Sequence, residues 1–205
     1  MRRHSSFARE GFWLFAALAL AAILLARFAG PLWGLSMAVP LVLLLLLFRD
    51  PRREIPLAPK AVLAPVDGKV LDVALCRTGL LERQSLRVRI RVNPLGAYSA
   101  RAPVEGKLLD PYDNAREGSR LTGRGGLWLR TDEGDDVVVT FVGRGFLGVP
   151  KAFHRYGERV GHGHRCAFLR LAAICEVYIP DTALPRVVPG EWVQASVDTL
   201  AEFKR

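Results

Sequence analysis

The first quarter of the chain carries almost no charge, and this restricts where it can lie. Between Gly11 and Phe48 the only charged side chain is Arg27. Two apolar runs, GFWLFAALALAAILLA and LWGLSMAVPLVLLLLLF, flank the short segment RFAGP. A helix needs about 20 apolar residues to span the hydrocarbon core of a bilayer, which is roughly 30 Å thick. Both runs are close to that length, so we predict an N-terminal transmembrane helical hairpin over residues 1–48.

The hairpin is predicted to turn near residues 28–31, because the pair Gly30-Pro31 interrupts helical structure. One continuous helix through this pair is the alternative. A cleaved signal peptide would account for one apolar run but not for the second. Basic residues occupy both outer flanks, and they are Arg2, Arg3, Arg9, Arg49, Arg52 and Arg53. By the positive-inside rule, both flanks and the domain that follows are expected on the cytoplasmic side of the inner membrane.

The charge of the remaining chain points to an acidic surface as its partner. The formal net charge is +9, and residues 1–48 contribute four arginines and one glutamate to it. A basic domain held beside a bilayer is expected to lie against anionic lipid head groups. A solvated basic surface without a partner is the alternative. No nucleic-acid partner is predicted, because the basic residues are dispersed and no nucleic-acid-binding motif accompanies them.

The cysteines and histidines predict neither disulfides nor a metal site. Cys76, Cys166 and Cys175 are odd in number and have no C-x-x-C spacing, which suits a reducing compartment. The HGH triplet at residues 162–164 lacks a nearby carboxylate or thiolate pair. These histidines are therefore interpreted as loop residues.

Beyond the apolar quarter, the pattern indicates a β domain. Residues 49–60 are charged and rich in proline, as in a linker. Residues 61–205 contain short alternating or apolar runs such as LRVRIRV and DVVVTFV, separated by the turn signals VDGK, DEGDD and VPGE. We predict a mostly β barrel or sandwich over residues 61–205. A G-E-x-V echo at Gly157 and Gly190 suggests a relationship to the lipoyl/biotinyl-type hybrid fold.

The run LRVRIRV alternates between basic and apolar residues. Arg87, Arg89 and Arg91 fall on one face of a strand, with Leu, Val and Ile on the other. A half-exposed strand is the preferred interpretation. An arginine ladder that faces lipid phosphates is the alternative.

Taken in order along the chain, these segments resemble a known family. An apolar hairpin, then FRDP, PVDGKV, RAPVEG, GERVGHGHRCAFLRLAAICEVYIP and PGEWV look like the short, membrane-anchored form of phosphatidylserine decarboxylase over roughly residues 12–203. The resemblance implies phosphatidylethanolamine biosynthesis by decarboxylation of the serine head group of phosphatidylserine. It also implies a pyruvoyl cofactor, which the family makes from a Gly-Ser pair of its own chain.

This chain departs from the family at that pair. The family strand reads R-F-G-S-R-V-D-L-Y-L-P, and Arg170, Tyr178 and Pro180 align with it, so that Gly-Ser falls on Ala172 and Ala173. A methyl group has no lone pair to attack a carbonyl and no oxygen to eliminate. We therefore predict that the chain does not process itself and that no pyruvoyl forms at Ala173.

Other positions depart in the same way, so no catalytic residue is expected. The Asp and His of the family's D-V-H-V-N-R-A-P fall on Gly96 and Tyr98 in GAYSARAP, whereas Asp67 of PVDGKV is retained. An aspartate before a glycine also suits a tight turn, which explains Asp67 without catalysis. Arg101 persists, and it joins the three ladder arginines as a lipid head-group candidate.

Two other residues are candidates for a replacement nucleophile. Ser119 lies in a G-S-R triplet, but in a polar loop well before the strand, so we interpret it as a coincidental turn. Cys175 lies two residues beyond Ala173 among apolar neighbours, which favours a buried and unreactive thiol.

The sequence therefore predicts a membrane-anchored, non-processing relative that serves as a binding or structural subunit at the cytoplasmic membrane face. The alternative is an active phosphatidylserine decarboxylase that uses an unrecognised cleavage site. A third hypothesis is a fixed subunit of a membrane complex, in which small residues such as Ala17, Ala19, Ala21 and Ala22 allow close helix contacts. The family's tendency to dimerise makes a homodimer a further expectation.

Overall fold

The computed structural model describes residues 12–47, 53–56, 58, 60–77, 83–97, 99–111, 125–143, 150–169 and 172–204. The chain divides into two compact units, Met1–Arg52 and Arg53–Arg205. The predicted division into 1–48, 49–60 and 61–205 stays a prediction.

The first unit is helical and contains two breaks. Its helices are α1 (Phe12–Phe28), α2 (Pro31–Ser36) and α3 (Ala38–Leu47). Gly30 separates α1 from α2 with a φ of 106°, a conformation that glycine adopts without strain. Pro31 then begins α2, where its missing N–H costs nothing. The second break falls at Met37, where the Ser36 hydroxyl donates a 2.7 Å hydrogen bond to the Trp33 carbonyl in competition with the helical ladder.

The predicted transmembrane hairpin is wrong. No helix among the described residues is both long and apolar enough to cross a membrane. The α1 helix has 17 residues, and the second apolar run is divided into helices of 6 and 10 residues. The apolar composition is continuous from α2 to α3, but Pro40 has no N–H to donate to the Ser36 carbonyl, where α2 ends. Pro40 itself lies in the first turn of α3, where proline is tolerated.

The second unit is built from antiparallel strands. They are β1 (Ala61–Leu63), β2 (Gly68–Arg77), β3 (Gln84–Val92), β4 (Ser99–Arg101), β5 (Gly106–Pro111), β6 (Gly125–Arg130), β7 (Asp136–Gly143), β8 (Lys151–Ala152), β9 (Arg159–Val160), β10 (Arg165–Phe168), β11 (Ala172–Pro180), β12 (Leu184–Pro185), β13 (Trp192–Val193) and β14 (Thr199–Glu202). The mostly β character of the fold prediction agrees with this architecture. Its relationship to the lipoyl/biotinyl hybrid stays a prediction.

One large sheet dominates the unit, with strand order β13-β2-β3-β11-β7-β6-β5-β9. Two three-stranded sheets, β1-β14-β12 and β4-β10-β8, accompany it. The central strand β11 pairs with β3 on one side and with β7 on the other. Its residues Cys175, Val177 and Ile179 are fully buried, and so they form the middle of the core.

The strand LRVRIRV lies in β3 with the predicted alternation. Val88 and Ile90 are fully buried, whereas the intervening arginines are half-buried or exposed. Because one face of β3 packs on the core and the other meets solvent, its basic residues share one side of the sheet.

Candidate functional site

Three segments singled out in the sequence meet at one end of the large sheet. Gly68 on β2 pairs with Val92 on β3, and Arg91 on β3 pairs with Ile174 on β11. The residue before β2, the loop after β3 and the start of β11 therefore lie at the same end. Neighbouring strands are about 4.8 Å apart, so the ends of β2 and β11 are separated by about 10 Å. Strand pairing therefore brings Asp67, Gly96 and the alanine pair to the same end of the sheet.

The segment FLRLAAICEVYIP is not one continuous strand. β10 ends at Phe168 and β11 begins at Ala172, and the Ala172 N–H donates to the Leu169 carbonyl at 3.1 Å. Arg170, which helped to align the segment with the family strand, lies outside the described residues. The alanine pair therefore stands at a strand start and not in mid-strand.

A β-bulge sets Ala173 apart from its neighbours. Ala172 pairs with Gly143 and Ile174 pairs with Val142, so Ala173 is an extra residue without a partner on β7. Ala172 is buried, whereas Ala173 is exposed. Bulges turn a side chain out of the regular ladder and are common beside active sites. Here the residue turned out is an alanine.

Asp67 is held by four donors. Its Oδ1 accepts hydrogen bonds from Arg53 Nη1 and, at 2.9 Å, from the Ala195 N–H. Its Oδ2 accepts from Arg53 Nη2 at 2.5 Å and from the Ala97 N–H at 3.1 Å. Arg53 Nη1 also donates to the Ala195 carbonyl at 2.7 Å. Each carboxylate oxygen therefore accepts two hydrogen bonds, and the carboxylate joins three distant segments.

The pair formed by Arg53 and Asp67 is nearly removed from solvent. The two side chains are 5% and 12% exposed. Burial raises the pKa of the Asp67 carboxyl, but the Arg53 guanidinium and the N–H groups of Ala195 and Ala97 outweigh burial and hold that pKa below its ordinary value. Asp67 is accordingly ionised at neutral pH, with its charge matched by Arg53.

Gly96 lies directly against this carboxylate. A Cβ added at Gly96 would come within 2.9 Å of the Asp67 Cβ and 3.1 Å of its Oδ2, which is closer than side-chain atoms normally pack. The structure thus brings Asp67 and Gly96 into contact. Tyr98 lies outside the described residues.

The four arginines proposed as head-group ligands are not gathered into one site. Arg87 pairs with Asp72 at 2.8 Å, and Arg89 pairs with Glu176 at 3.1 Å. Arg101 is buried, and its Nη1 donates to the Gly163 carbonyl at 3.4 Å. Arg91 is exposed and has no ion pair among the residues that the structure describes. The role of these arginines as head-group ligands stays a prediction.

The chain is similar along nearly its whole length to bacterial proteins named phosphatidylserine decarboxylase proenzyme. The protein of Nitrosomonas eutropha is 33% identical over 210 residues, which cover 98% of this chain and 97% of the relative. The protein of Aromatoleum aromaticum is 34% identical over 213 residues, with coverage of 98% and 97%. The chain belongs to the phosphatidylserine decarboxylase family.

Other comparisons are less informative. No family model matches the chain. Among solved structures, glucose permease IIA from Mycoplasma capricolum aligns with a TM-score of 0.49 at 17% identity, covering 69% of this chain and 93% of that one.

In this member of the phosphatidylserine decarboxylase family, the buried thiols are poor substitutes for a serine nucleophile. Cys175 is fully buried, and burial raises the pKa of its thiol well above the ordinary value. Burial likewise raises the pKa of Cys166 to about 12. Because the thiolate is the reactive form of cysteine, neither group is poised to attack a carbonyl.

The sequence did not indicate that Arg53 or Ser196 belongs to this site. Arg53 lies in a charged segment that looks like a linker, and its contact at Ala195 is 142 positions away along the chain. Ser196 has a φ of 62°, the only left-handed residue other than glycine among those described. Its buried hydroxyl donates to the Gly163 carbonyl at 2.9 Å. Only the three-dimensional fold brings Arg53 and Ala195, the residue before Ser196, to Asp67.

Proposed function

We propose that this phosphatidylserine decarboxylase family member does not cut its own chain. It acts instead as a non-catalytic phospholipid-binding or structural protein at the cytoplasmic membrane face. The observation that carries the proposal is the pair Ala172-Ala173 at the start of β11. The resemblance stated above assigns the cofactor-forming Gly-Ser to these two positions.

The residues present do not fit a pyruvoyl group made from the chain. Formation of that group requires a side-chain oxygen, first as the nucleophile and then as the leaving atom. Ala173 offers a methyl group at the bulge, and the thiol of Cys175 lies buried two residues further along. Formation of a pyruvoyl group at residue 173 is therefore excluded, because the side chain has no oxygen, while the strand and its bulge are still present.

Asp67 takes a structural role in this proposal. Its two oxygens already accept four hydrogen bonds from Arg53, Ala97 and Ala195. A carboxylate so occupied has little capacity left to accept a proton from a substrate. It instead ties the segment before β1, the loop after β3 and the turn after β13 together.

The intact mass of the purified full chain tests the proposal. The expected result is one species at the full-length mass of 22.6 kDa. Two fragments, the smaller with a blocked N-terminus, would overturn it. A double variant, Ala172→Gly with Ala173→Ser, restores the oxygen, and Ala172→Gly alone is its matched control. Cleavage of the double variant only would locate the loss at these two residues.

Activity provides a second and independent measurement. Vesicles that contain phosphatidylserine are incubated with the full chain, and the released CO₂ is quantified. No release above that of protein-free vesicles is expected. Binding of the chain to the same vesicles, measured by flotation, separates loss of chemistry from loss of lipid contact.

The alternative is an active decarboxylase that is cut elsewhere, and the bond between Ala195 and Ser196 is the specific observation that favours it. Ser196 adopts a strained left-handed backbone, and Arg53 donates to the carbonyl that precedes it. Attack by the Ser196 hydroxyl on that carbonyl carbon would move the acyl group from nitrogen to oxygen and the hydroxyl proton to nitrogen. β-Elimination of the resulting ester would then release the carboxylate of Ala195, and hydrolysis of the dehydroalanine left at residue 196 would give a pyruvoyl group with loss of ammonia.

The two functions make different predictions for Ser196→Gly. Glycine accepts the left-handed backbone and removes the hydroxyl, so the fold is kept. If the alternative holds, the wild-type chain is cut after Ala195 and the variant stays whole. Under the preferred function both chains have their full-length mass.

A further inference from the structure

A row of side chains, exposed except for the half-buried Ile174, crosses five adjacent strands at the site end of the large sheet. Consecutive partners are Trp192 on β13 with Lys69 on β2, Lys69 with Arg91 on β3, Arg91 with Ile174 on β11, and Ile174 with Val142 on β7. Directly opposed residues on neighbouring strands have Cβ atoms about 5 Å apart on the same face. We call these five residues the basic–apolar row.

The row faces away from the core. Trp192 is 63% exposed and Val142 is 39% exposed, and both basic residues are exposed as well. The residues next to them along their strands, such as Val193 and Phe141, are buried. Because side chains alternate between the two faces of a sheet, the row belongs to the outer face along its whole length.

The two basic residues of the row are available to an external anion. Among the described residues, neither Lys69 nor Arg91 forms an ion pair. The next two arginines on β3 differ, since Arg87 and Arg89 are paired with Asp72 and Glu176. One acidic side chain, Glu191, lies beside the row, and its carboxylate accepts the Val188 N–H at 3.0 Å.

Two apolar side chains extend the row beyond the strands. Leu95, in the turn after β3, is 74% exposed, and Val188, in the turn before β13, is 65% exposed. The second turn is held to β2 by a 2.8 Å hydrogen bond from the Gly190 N–H to the Val70 carbonyl. Both apolar side chains are therefore presented on short, anchored turns.

We infer that the basic–apolar row, with Leu95 and Val188, is a docking surface for an anionic phospholipid bilayer. Tryptophan favours the membrane–water interface, and apolar side chains on turns can enter the region below the head groups. Basic residues near an anionic leaflet each strengthen binding by a factor of about five. A basic pair within exposed aromatic and aliphatic side chains matches such a surface, and the net charge of +9 adds to the attraction.

This surface deepens the proposed phospholipid role, on which it rests for the kind of ligand, and it needs no assumption about chain cleavage. Docking there would place the end of the sheet that holds Asp67 and Ala173 next to the head groups. The distance from the row to the alanine pair is short, because Ile174 is itself a member of the row and follows Ala173 directly.

The test uses the full chain with an environment-sensitive fluorophore on Leu95→Cys in a Cys76→Ser background. The matched control carries the label at Gln84→Cys, an exposed position at the opposite end of β3. Each protein is mixed with vesicles of phosphatidylcholine, with and without phosphatidylglycerol. The expected result is a blue shift at position 95 with the anionic vesicles, quenching there by brominated lipid, and neither effect at position 84.

Charge variants test the electrostatic part. Lys69→Gln with Arg91→Gln is expected to lower the apparent affinity for anionic vesicles about 25-fold, as measured by the blue shift at position 95. Arg77→Gln with Lys151→Gln removes the same charge from exposed positions outside the row and is expected to weaken the affinity much less than the pair in the row.

Three results would overturn the inference. The first is that the label at position 95 stays in water on vesicles that bind the chain. The second is that both variant pairs weaken binding equally. The third is that the shift appears without vesicles and grows with protein concentration, which indicates a second copy on the row. Intact mass is measured on the same samples. A cut chain with a normal blue shift contradicts the non-processing function alone, whereas an uncut chain without the shift contradicts the docking surface alone.

Discussion

Replacement of Arg53 by glutamine is expected to destabilise the β unit far more than its position near the start of that unit suggests. Arg53 is 5% exposed and supplies two of the four hydrogen bonds to the Asp67 carboxylate. Its Nη1 also donates to the Ala195 carbonyl. Glutamine removes the charge and the forked geometry together, so Asp67 remains as a buried carboxylate without a counter-ion.

The magnitude follows from the desolvation of that carboxylate. Removing one member of a buried ion pair costs about 3–5 kcal/mol, because the other charge is left uncompensated. Asp67 would keep its hydrogen bonds from Ala97 and Ala195, which reduces the loss. We expect the free energy of unfolding to fall by about 3 kcal/mol at neutral pH.

The loss should depend on pH in a definite direction. The folded-state pKa of Asp67 is lowered, so its stabilisation is present above the unfolded carboxyl pKa of about 3.9 and is lost as pH falls through the folded pKa. In Arg53→Gln, burial is no longer outweighed by the guanidinium, and the pKa of Asp67 rises. Protonation then relieves the uncompensated charge. The difference between wild type and variant therefore shrinks as the pH is lowered.

Urea unfolding of the full chain in detergent micelles measures this difference. Trp13→Phe and Trp33→Phe in every protein leave the fluorescence to Trp128 and Trp192 of the β unit. The control is Arg186→Gln, which breaks an exposed pair with Glu202. An exposed pair contributes at most about 1 kcal/mol.

Equal small losses for the Arg53 and Arg186 variants would refute this reasoning. A double-mutant cycle of Arg53→Gln with Asp67→Asn checks the assignment, since a coupling energy of at least about 2 kcal/mol is expected for residues in direct contact. A coupling near zero would show that the loss at Arg53 arises elsewhere, for example from its bond to Ala195.

Three further outcomes follow from the same structure. Gly68→Ala should destabilise the β unit by more than about 2 kcal/mol in urea unfolding, because its Cβ would lie 2.0 Å from the Arg91 carbonyl oxygen on the facing strand. Gly96→Asp should also destabilise it, with a larger loss at neutral than at acidic pH, because a second carboxylate would crowd Asp67. The buried thiol of Cys175 should resist alkylation in the native protein and react after denaturation, as measured by mass spectrometry.

The β unit could be predicted because its sequence signals are local. Alternation in LRVRIRV places Val88 and Ile90 inside, and the structure has both buried. The helical unit was predicted wrongly because an apolar composition indicates that a segment avoids water, but it does not indicate how long its helices are. The break at Met37 falls where Pro40 cannot donate a hydrogen bond to the Ser36 carbonyl, and hydropathy does not represent this lost backbone bond.

The candidate site could be predicted only in part. Asp67, Gly96 and the alanine pair were marked by motif comparison, and strand register explains why they lie at one end of the sheet. Arg53 could not be found in this way, since its partner at Ala195 is 142 residues distant. The bulge at Ala173 was missed for a related reason, because it arises from the pairing of β11 with β7 and not from any residue within the segment.

The bulge also explains how the chain can keep its sheet with alanine at residue 173, as the proposed non-processing function requires. Further along β11, Cys175 and Ile179 are fully buried, so substitutions there are restricted by packing. Ala173 is exposed and lies outside the ladder with β7, so neither its volume nor its polarity supports the core. Folding therefore depends on the buried residues of β11, whereas the chemistry would depend on the exposed side chain of residue 173. A side-chain oxygen can therefore be absent from residue 173 without loss of the strand that presents it, which is why a decarboxylase-like fold is compatible with an uncut chain.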